Sequence, residues 1–168
     1  MIDGSAVRAL LKQRPASMHK GQAGRVLIVA GQKGMAGAAV LAARGALYSG
    51  AGLVKISAPE EIFDILQSSV TEAMCIGRDF GFGDPADGYD LSAYDAIAIG
   101  PGLGAGDENA ALLQKILTAF DGPVVIDADG LNCLCRNLAM LESARARTVL
   151  TPHPKEADRL LRAAGLEG

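Results

Sequence analysis

The stretch RVLIVAGQKGMAGAAVLAARGALYSGAGLVKISAP, residues 25–59, carries the pattern that decides the fold. It begins with an apolar run rich in β-branched residues that ends at Gly31, continues with many alanines, and closes with a second apolar run before Pro59. Short β-branched runs are typical of buried strands, whereas alanine and leucine favour a helix. The stretch therefore predicts a strand–helix–strand unit. Because Arg44 is the only charge in the helical part, we expect this helix to be covered on more than one side.

The same alternation of short apolar runs and helical patterns continues to the end of the chain. Strand-like runs recur in the sequences EAMCIG, DAIAIG, PVVID and ARTVL, and a helical pattern follows all but the first. Alternating strands and helices predict an α/β fold, with a mostly parallel sheet flanked by helices on both faces. The length of 168 residues suits a single domain over residues 1–168. Residues 78–94, rich in glycine, proline and aspartate, are predicted to form a loop.

Composition argues against several classes of function. The net charge is −3, aromatic residues make up 4% of the chain, and no basic run is present, so a nucleic-acid partner is not expected. The first residues carry no signal-peptide pattern, and no apolar run reaches the roughly 18 residues of a membrane span. The three cysteines fit neither a disulfide nor a zinc site, since Cys133 and Cys135 would face different sides of a helix. We expect reduced thiols and a cytoplasmic protein.

Two glycine-rich turns follow predicted strands, at the end of a parallel sheet where ligands bind. The first, AGQKGMAGAA, spaces Gly31, Gly34 and Gly37 by two residues, which is neither the dinucleotide-binding nor the P-loop pattern. Small residues at a helix start allow either a close ligand or tight helix–strand packing, and both alternatives remain open. The second, IGPGLGAG over residues 99–106, has four glycines where one would make a turn. Ligand contact is favoured there.

The third strand end, VVIDADGLN, carries acidic side chains. Asp127 directly follows the apolar run, where a carboxylate is either a structural cap or a ligand for a metal, a hydroxyl or an amide. Asp129 suits the N-cap of the next helix and is interpreted as structural. Asn132 falls in the first turn of that helix, and its role stays open together with that of Asp127.

The fourth strand end, TPHPKEADRLL over residues 151–161, holds one of only two histidines. His153 falls at the N-cap of a helix, with Pro154 at the first helical position and Glu156 placed to complete a capping box. Histidine is not a favoured N-cap, so its presence favours a functional role. The other histidine, His19, precedes the first strand and is predicted to be exposed to solvent.

These four strand ends, taken in order, resemble the ADP-dependent NAD(P)H-hydrate dehydratases of the ribokinase-like superfamily. The resemblance spans residues 17–165 and is carried by HKGQAGRVLIVAGQKGMAGAAVLAARGALYSGAGLVKI, AIGPGLG, VVIDADGLN and LTPHPKEADRLL. Such enzymes repair hydrated NADH or NADPH by removing the hydroxyl on C6 of the reduced ring. The resemblance implies phosphorylation of that hydroxyl by ADP or ATP, elimination of phosphate, and Mg²⁺ as the usual helper in phosphoryl transfer.

The resemblance also implies roles for individual residues. Ala38, Gly102 and His153 match the family's substrate contacts, and Asp127 and Asn132 match the stretch that lines the same crevice. No metal ligand is assigned to these residues. One mild departure is a lysine directly after the Thr-Pro-His-Pro motif, where the family usually has glycine.

The resemblance is incomplete beyond the histidine motif. In the family, more sheet and helix follow, with a Gly-Thr-Gly-Asp anion hole whose aspartate is the catalytic base, and no such motif occurs up to Gly168. We therefore assign no catalytic residue and expect the chain to be a C-terminally shortened form of the family fold. A sheet cut short would expose an edge and an apolar face, so we expect a homo-oligomer or association with a missing piece.

Three other functions share parts of this pattern. A ribokinase-like kinase of a vitamin or sugar would have the same fold and the same phosphate chemistry, and only the GPGLG and TPHP motifs favour the dehydratase. An inactive remnant that binds a nucleotide or a partner would be consistent with the missing anion hole. A simple dinucleotide-binding dehydrogenase is disfavoured because the first glycine turn has the wrong spacing.

Overall fold

The computed structural model describes residues 3–10, 15, 17–78 and 90–166. Six strands form one sheet in the order β3-β2-β1-β4-β5-β6, and each neighbouring pair is parallel. The predicted α/β fold with a parallel sheet is confirmed. The strands are β1 (Arg25–Val29), β2 (Leu53–Ala58), β3 (Met74–Gly77), β4 (Ala96–Ile99), β5 (Pro123–Ile126) and β6 (Arg147–Leu150).

Helices follow the strands as the sequence predicts, with one exception. The pattern over residues 131–141 predicts one helix, but the helix that begins at Asp129 ends at Arg136 and a separate short helix follows. Asn137 is extended, with φ −157° and ψ 89°, and its Oδ1 accepts a hydrogen bond from the Ala139 N–H at 3.2 Å. This local bond competes with continuation of the helix. The helices are α1 (Gly4–Leu10), α2 (Ala36–Tyr48), α3 (Phe63–Ser69), α4 (Asp107–Ala119), α5 (Asp129–Arg136), α6 (Ala139–Glu142) and α7 (Pro154–Ala163).

The sheet separates two hydrophobic cores. Ile28 of β1 points into a core with α2 and α3, whereas Leu27 and Val29 point into a core with α4 and α5 on the opposite face. This alternation follows from the two-residue period of a strand. All three side chains are at most 1% exposed, so β1 is the strand that belongs to both cores.

On the α2 side, the cover of the sheet stops at β1. A row of side chains in register runs from Ile28 through Ala98 and Val125 to Val149 on the edge strand. Exposure rises along this row from 1% at Ile28 to 52% at Val149, because no helix in the described residues lies over β5 and β6 on this face. We call the part of the sheet that carries Ala98, Val125 and Val149 the uncovered face.

Helix α2 borders the uncovered face and is itself packed along one side. Ala39 and Ala43 are fully buried, whereas Leu41 and Tyr48 are 71% and 87% exposed. The prediction that this helix is covered on more than one side is therefore not met within the described residues. The predicted loop over 78–94 lies mostly outside the described residues. None of the described helices has both the length and the apolar character needed to cross a bilayer.

Candidate functional site

The first glycine turn packs closely and connects to the second. Gly31 has a φ of 78°, and a Cβ at this position would lie 3.0 Å from the Ala39 Cβ and 3.0 Å from the Ile62 Cδ1. Its N–H donates a hydrogen bond to the Pro101 carbonyl at 2.9 Å. Of the two alternatives for this turn, tight helix–strand packing therefore applies at Gly31. Gly34 has no neighbour within 4 Å of a Cβ position, so the start of α2 remains accessible.

The structure brings Ala38 and Gly102 together. Gly102 is buried with a φ of 61°, and a Cβ built on it would lie 3.0 Å from the Ala38 Cβ and 3.0 Å from the Met35 carbonyl oxygen. The backbone of the GPGLG turn therefore rests directly on the first turn of α2. Only a residue without a side chain allows this approach. Two of the three residues that the resemblance matches to substrate contacts are thus in direct contact.

Asp127 lies at the end of β5 in a tight turn. The Gly130 N–H donates to the Asp127 carbonyl at 2.9 Å, and Ala128 between them has φ 48° and ψ −116°. Ala128 is the one non-glycine residue with positive φ in the described part of the chain, a conformation that costs roughly 1–3 kcal/mol. A Cβ on Gly100 would lie 1.8 Å from the Asp127 carbonyl oxygen, so the second and third strand ends meet backbone to backbone.

The Asp127 side chain connects the third strand end to the fourth. Its Oδ1 accepts a hydrogen bond from the Thr151 hydroxyl at 2.9 Å, and that hydroxyl also lies 3.4 Å from the Ile126 carbonyl. Thr151 is a site residue that the sequence analysis did not single out. Its hydroxyl directly after a strand, two residues before His153, is the signal that could have indicated it.

Asp129 is structural, as interpreted, but it is not the N-cap of α5. The helix begins at Asp129, and its carboxylate accepts hydrogen bonds from the Gly104 N–H at 2.9 Å and the Asn132 Nδ2 at 3.1 Å. The N-cap prediction is wrong because the carboxylate accepts a hydrogen bond from an N–H group of the neighbouring glycine turn, not from the N–H groups at the start of its own helix. Asn132 is consequently held near Gly104.

His153 occupies the N-cap of α7, as predicted. Its Nδ1 accepts a hydrogen bond from the Lys155 N–H at 3.2 Å, and its own N–H donates to the Glu156 Oε2 at 2.9 Å, which completes the capping box. Because Nδ1 accepts, the neutral ring carries its proton on Nε2, 3.4 Å from the Glu156 Oε1. The side chain is 57% exposed, and its hydrogen bonds stay within α7. His19 is exposed, as predicted.

A second residue outside the sequence-based set, Arg78, reaches the first glycine turn. It follows β3 directly, and its Nη2 donates to the carbonyls of Ala30, at 3.0 Å, and Gly31. The sequence analysis placed it in a loop. An arginine directly after a short apolar run is the signal that could have assigned it to a strand end.

An open cleft runs from these strand ends along α2. Its volume is about 540 Å³, in the usual range of roughly 300–1,000 Å³ for small-molecule sites. Pro101, Asp127 and Thr151 line it at the carboxyl end, and Ala42 and Ala46 line it along the helix. The cleft therefore has apolar walls with a carboxylate and a hydroxyl at one end.

The described residues contain no cluster of three or more His, Cys, Asp or Glu side chains that could hold a metal ion. The carboxylates of Asp127 and Asp129 already accept hydrogen bonds from Thr151, Gly104 and Asn132. The three cysteines are unpaired. Burial is the main cause that raises the pKa of the Cys133 thiol above its ordinary value, with a smaller contribution from the nearby Asp129 charge. This thiol is therefore protonated near neutral pH.

Comparison with known proteins gives the same family for most of the chain. The family model described as NAD(P)H-hydrate dehydratase matches residues 26–168. The ADP-dependent (S)-NAD(P)H-hydrate dehydratase of Lactiplantibacillus plantarum is 37% identical over 155 residues, covering 91% of this chain and 54% of that protein. The bifunctional NAD(P)H-hydrate repair enzyme of Moorella thermoacetica is 40% identical over 171 residues, covering 96% of this chain and 32% of that protein.

The solved structures agree with this assignment. The ADP/ATP-dependent NAD(P)H-hydrate dehydratase of Bacillus subtilis, crystallised with ATP and Mg²⁺, superposes with a TM-score of 0.79 at 34% identity. The match covers 95% of this chain and 55% of that one, which confirms the expected ribokinase-like fold. The chain spans about a third to about half of the length of the relatives it matches. Within that span, it belongs to the NAD(P)H-hydrate dehydratase family.

Proposed function

We propose that this chain provides the substrate side of an ADP-dependent (S)-NAD(P)H-hydrate dehydratase, a carbon–oxygen lyase that repairs hydrated NADH and NADPH. The observation that carries the proposal is the contact between Gly102 and Ala38 beside the cleft. Two residues matched to substrate contacts are adjacent there, and Pro101, next to Gly102 in the chain, lines the cleft. Asp127 and Thr151 add polar groups at the same end of the cleft.

The chemistry of the proposed reaction explains why positioning matters. Hydroxide is a poor leaving group, so the C6 hydroxyl receives a phosphoryl group from ADP, or from ATP, before it departs as phosphate. The ring nitrogen supplies the electron pair that expels the phosphate, and loss of a proton from the ring carbon next to C6 then restores the dihydronicotinamide. Holding the reacting groups in the productive geometry accounts for much of the rate in such a step. In this chain, Ala38 and Gly102 would fix the ring, while the exposed His153 side chain would contact it from the end of β6.

We assign no magnesium ligand to the described residues. No group of acidic side chains is arranged to hold Mg²⁺ within residues 3–10, 15, 17–78 and 90–166, so we derive no step through that ion. The B. subtilis relative was crystallised with ATP and Mg²⁺, which supports ADP or ATP with Mg²⁺ as the requirement of the complete site. The nucleotide would be bound by residues other than the five candidate residues.

Calorimetric titration of the chain with hydrated NADH (NADHX) tests whether the chain binds the proposed substrate. We expect saturable binding that His153→Ser weakens, because serine keeps an N-cap acceptor but removes the imidazole. His19→Ser is the matched control, since His19 is also exposed and also precedes a helical turn, but it is not matched to a substrate contact. Equal binding by both variants would show that His153 does not contact the substrate. Absence of binding by the unmodified chain would refute the proposed function.

Turnover is tested separately, by following the return of reduced-nicotinamide absorbance when ADP and Mg²⁺ are added to NADHX and the chain. Return of the absorbance would show that the described residues take part in a complete enzyme. Binding without turnover would indicate a chain that holds substrate but needs further groups for the chemistry. Phosphorylation of a vitamin or sugar with no effect on NADHX would instead favour the kinase alternative.

The uncovered face supports a proposal about association. Contiguous exposed apolar surface is typical of interaction sites, and here it runs from Ala98 and Val125, which line the cleft with the alanines of α2, to Val149 at 52% exposure on the edge strand. We propose that this face is covered either by a second copy of the chain or by a separate polypeptide of the same fold. Light scattering after size-exclusion chromatography distinguishes the two, because only the first predicts a stable oligomer of the purified chain. We also propose a cytoplasmic location, which the three unpaired thiols support.

A further inference from the structure

Arg78 ties the edge of the sheet to its central strand. The Arg78 backbone extends the pairing of β3 with β2, since its N–H donates to the Ala58 carbonyl at 3.1 Å. Its side chain then crosses the end of β2, and Nη2 donates to the Ala30 carbonyl at 3.0 Å and to the Gly31 carbonyl. In the order β3-β2-β1, this arginine therefore contacts a turn that lies two strands away.

The peptide unit between Ala30 and Gly31 is held from both sides. Its carbonyl accepts from Arg78, and its N–H donates to the Pro101 carbonyl at 2.9 Å. Since the carbonyl and the N–H of a trans peptide point in opposite directions, this one plane joins the guanidinium to the second glycine turn. Pro101 directly precedes Gly102, whose backbone rests on Ala38. A continuous set of contacts thus runs from Arg78 to the pair that carries the proposed function.

Because Arg78 is charged, its hydrogen bond to this peptide is stronger than the bond between the peptide and Pro101. Hydrogen bonds from a guanidinium are about twice as strong as bonds between neutral groups, and one nitrogen here serves two carbonyls. Gly31 has a φ of 78° and populates both signs of φ readily, so nothing in its own preferences fixes the plane. Without Arg78, the Ala30–Gly31 peptide would lose its charged hydrogen-bond partner and keep the bond to Pro101 and the packing of Gly31 against α2.

We propose that Arg78 is a positioning residue of the candidate site. It fixes the Ala30–Gly31 peptide and, through it, the Pro101–Gly102 turn against which Ala38 packs. Arg78 acts on the turns and is not itself a substrate contact. This inference rests on the proposed function in one respect: the second test below uses NADHX as the ligand.

The first test measures amide hydrogen exchange at Gly31 and Leu103 by nuclear magnetic resonance, because these two N–H groups donate hydrogen bonds within the glycine turns, to Pro101 and Gly100. In Arg78→Met we expect exchange at both amides to be faster by on the order of tenfold. Local opening of the turns becomes easier when the hydrogen bonds from Arg78 are lost. Arg78→Lys keeps the charge and is expected to recover part of the protection. Arg44→Met is the matched control, since the Arg44 Nη2 also donates to a backbone carbonyl, that of Ser69, at 2.8 Å, but away from both turns.

The second test measures the Kd for NADHX by calorimetry in the same variants. Arg78→Met is expected to weaken binding about tenfold, equivalent to about 1.4 kcal/mol, while Arg44→Met leaves the Kd unchanged. Unchanged exchange at Gly31 and Leu103 in Arg78→Met would overturn the proposal whatever the Kd. If circular dichroism shows that Arg78→Met does not fold, Arg78→Gln is judged by the same criterion. If the unmodified chain binds no NADHX, the proposed function fails, but the exchange test still decides the role of Arg78.

Discussion

The contact between Gly102 and Ala38 can be measured through a series of glycine-to-alanine substitutions. Gly102 combines a φ of 61° with neighbours at 3.0–3.1 Å from a Cβ position. Gly34 has a φ of 81° with no neighbour within 4 Å, so it reports backbone strain alone. Gly45 lies inside α2, its φ is outside the left-handed region, and no atom lies within 4 Å of its Cβ position. It therefore reports neither strain nor crowding. The three sites therefore separate two costs that usually occur together.

The expected changes follow from these geometries. Gly45→Ala should stabilise the fold by about 0.5–1 kcal/mol, since glycine is costly in a helix interior. Gly34→Ala should destabilise it by about 1–2 kcal/mol, the cost of placing an alanine in the left-handed region. Gly102→Ala pays the same cost and also crowds the Ala38 Cβ and the Met35 carbonyl, which adds roughly 1–3 kcal/mol. The total for Gly102→Ala is about 2–5 kcal/mol.

Equilibrium urea unfolding, followed by far-ultraviolet circular dichroism, gives the three free energies of unfolding on a common scale. The order Gly45→Ala, unmodified chain, Gly34→Ala, Gly102→Ala from most to least stable is the expected result. If Gly102→Ala costs no more than Gly34→Ala, the GPGLG turn does not rest on α2 as described. The proposal that Ala38 and Gly102 form one surface would then lose its support.

Three further substitutions or labelling experiments test other parts of the site. Ala128→Gly should raise the free energy of unfolding by about 1 kcal/mol, because glycine tolerates the φ of 48°; a lower thermal midpoint would contradict the strained turn. Thr151→Val should lower it by about 0.5–1.5 kcal/mol through loss of the bond to Asp127, which joins two strand ends, whereas Thr71→Val, whose hydroxyl bonds the adjacent Glu72, should change it little. Cys133 should react with iodoacetamide much more slowly in the folded chain than in urea, as followed by mass spectrometry, because burial raises its thiol pKa. As pH rises, the Cys133 thiol ionises in the unfolded chain before it ionises in the folded chain, so its contribution to the free energy of unfolding should fall. Urea unfolding at about pH 7 and about pH 9 measures this change.

The elements of the fold could be predicted because buried parallel strands leave a strong pattern. Each strand is a short apolar run, and the predicted strands, including the short one at 74–77, are present in the structure. The break after Arg136 could not be predicted, because the apolar pattern continues across it and only the side-chain bond of Asn137 interrupts the helix. Local hydrogen bonds of this kind do not change hydrophobic periodicity.

The candidate site could be predicted in part, for a similar reason. Glycine turns and acidic strand ends mark the carboxyl edge of the sheet, and the structure joins Ala38 to Gly102 and Asp127 to Thr151 there. Arg78 could not be found in this way, because its role depends on β3 lying two strands from β1, and strand order is not encoded in local pattern. Asp129 suited an N-cap on propensity, but a tertiary partner, Gly104, determined its hydrogen bond.

The position of β1 has a consequence for how the protein would respond to a ligand. Residues of β1 contribute to both hydrophobic cores, and the two glycine turns that flank the cleft leave β1 and its neighbour β4. A molecule bound across these turns would add contacts between the two halves of the sheet, β3-β2-β1 and β4-β5-β6, which meet where β1 pairs with β4. Ligand binding should then make opening of both cores more cooperative, with slower exchange of amides in β2 as well as in β5.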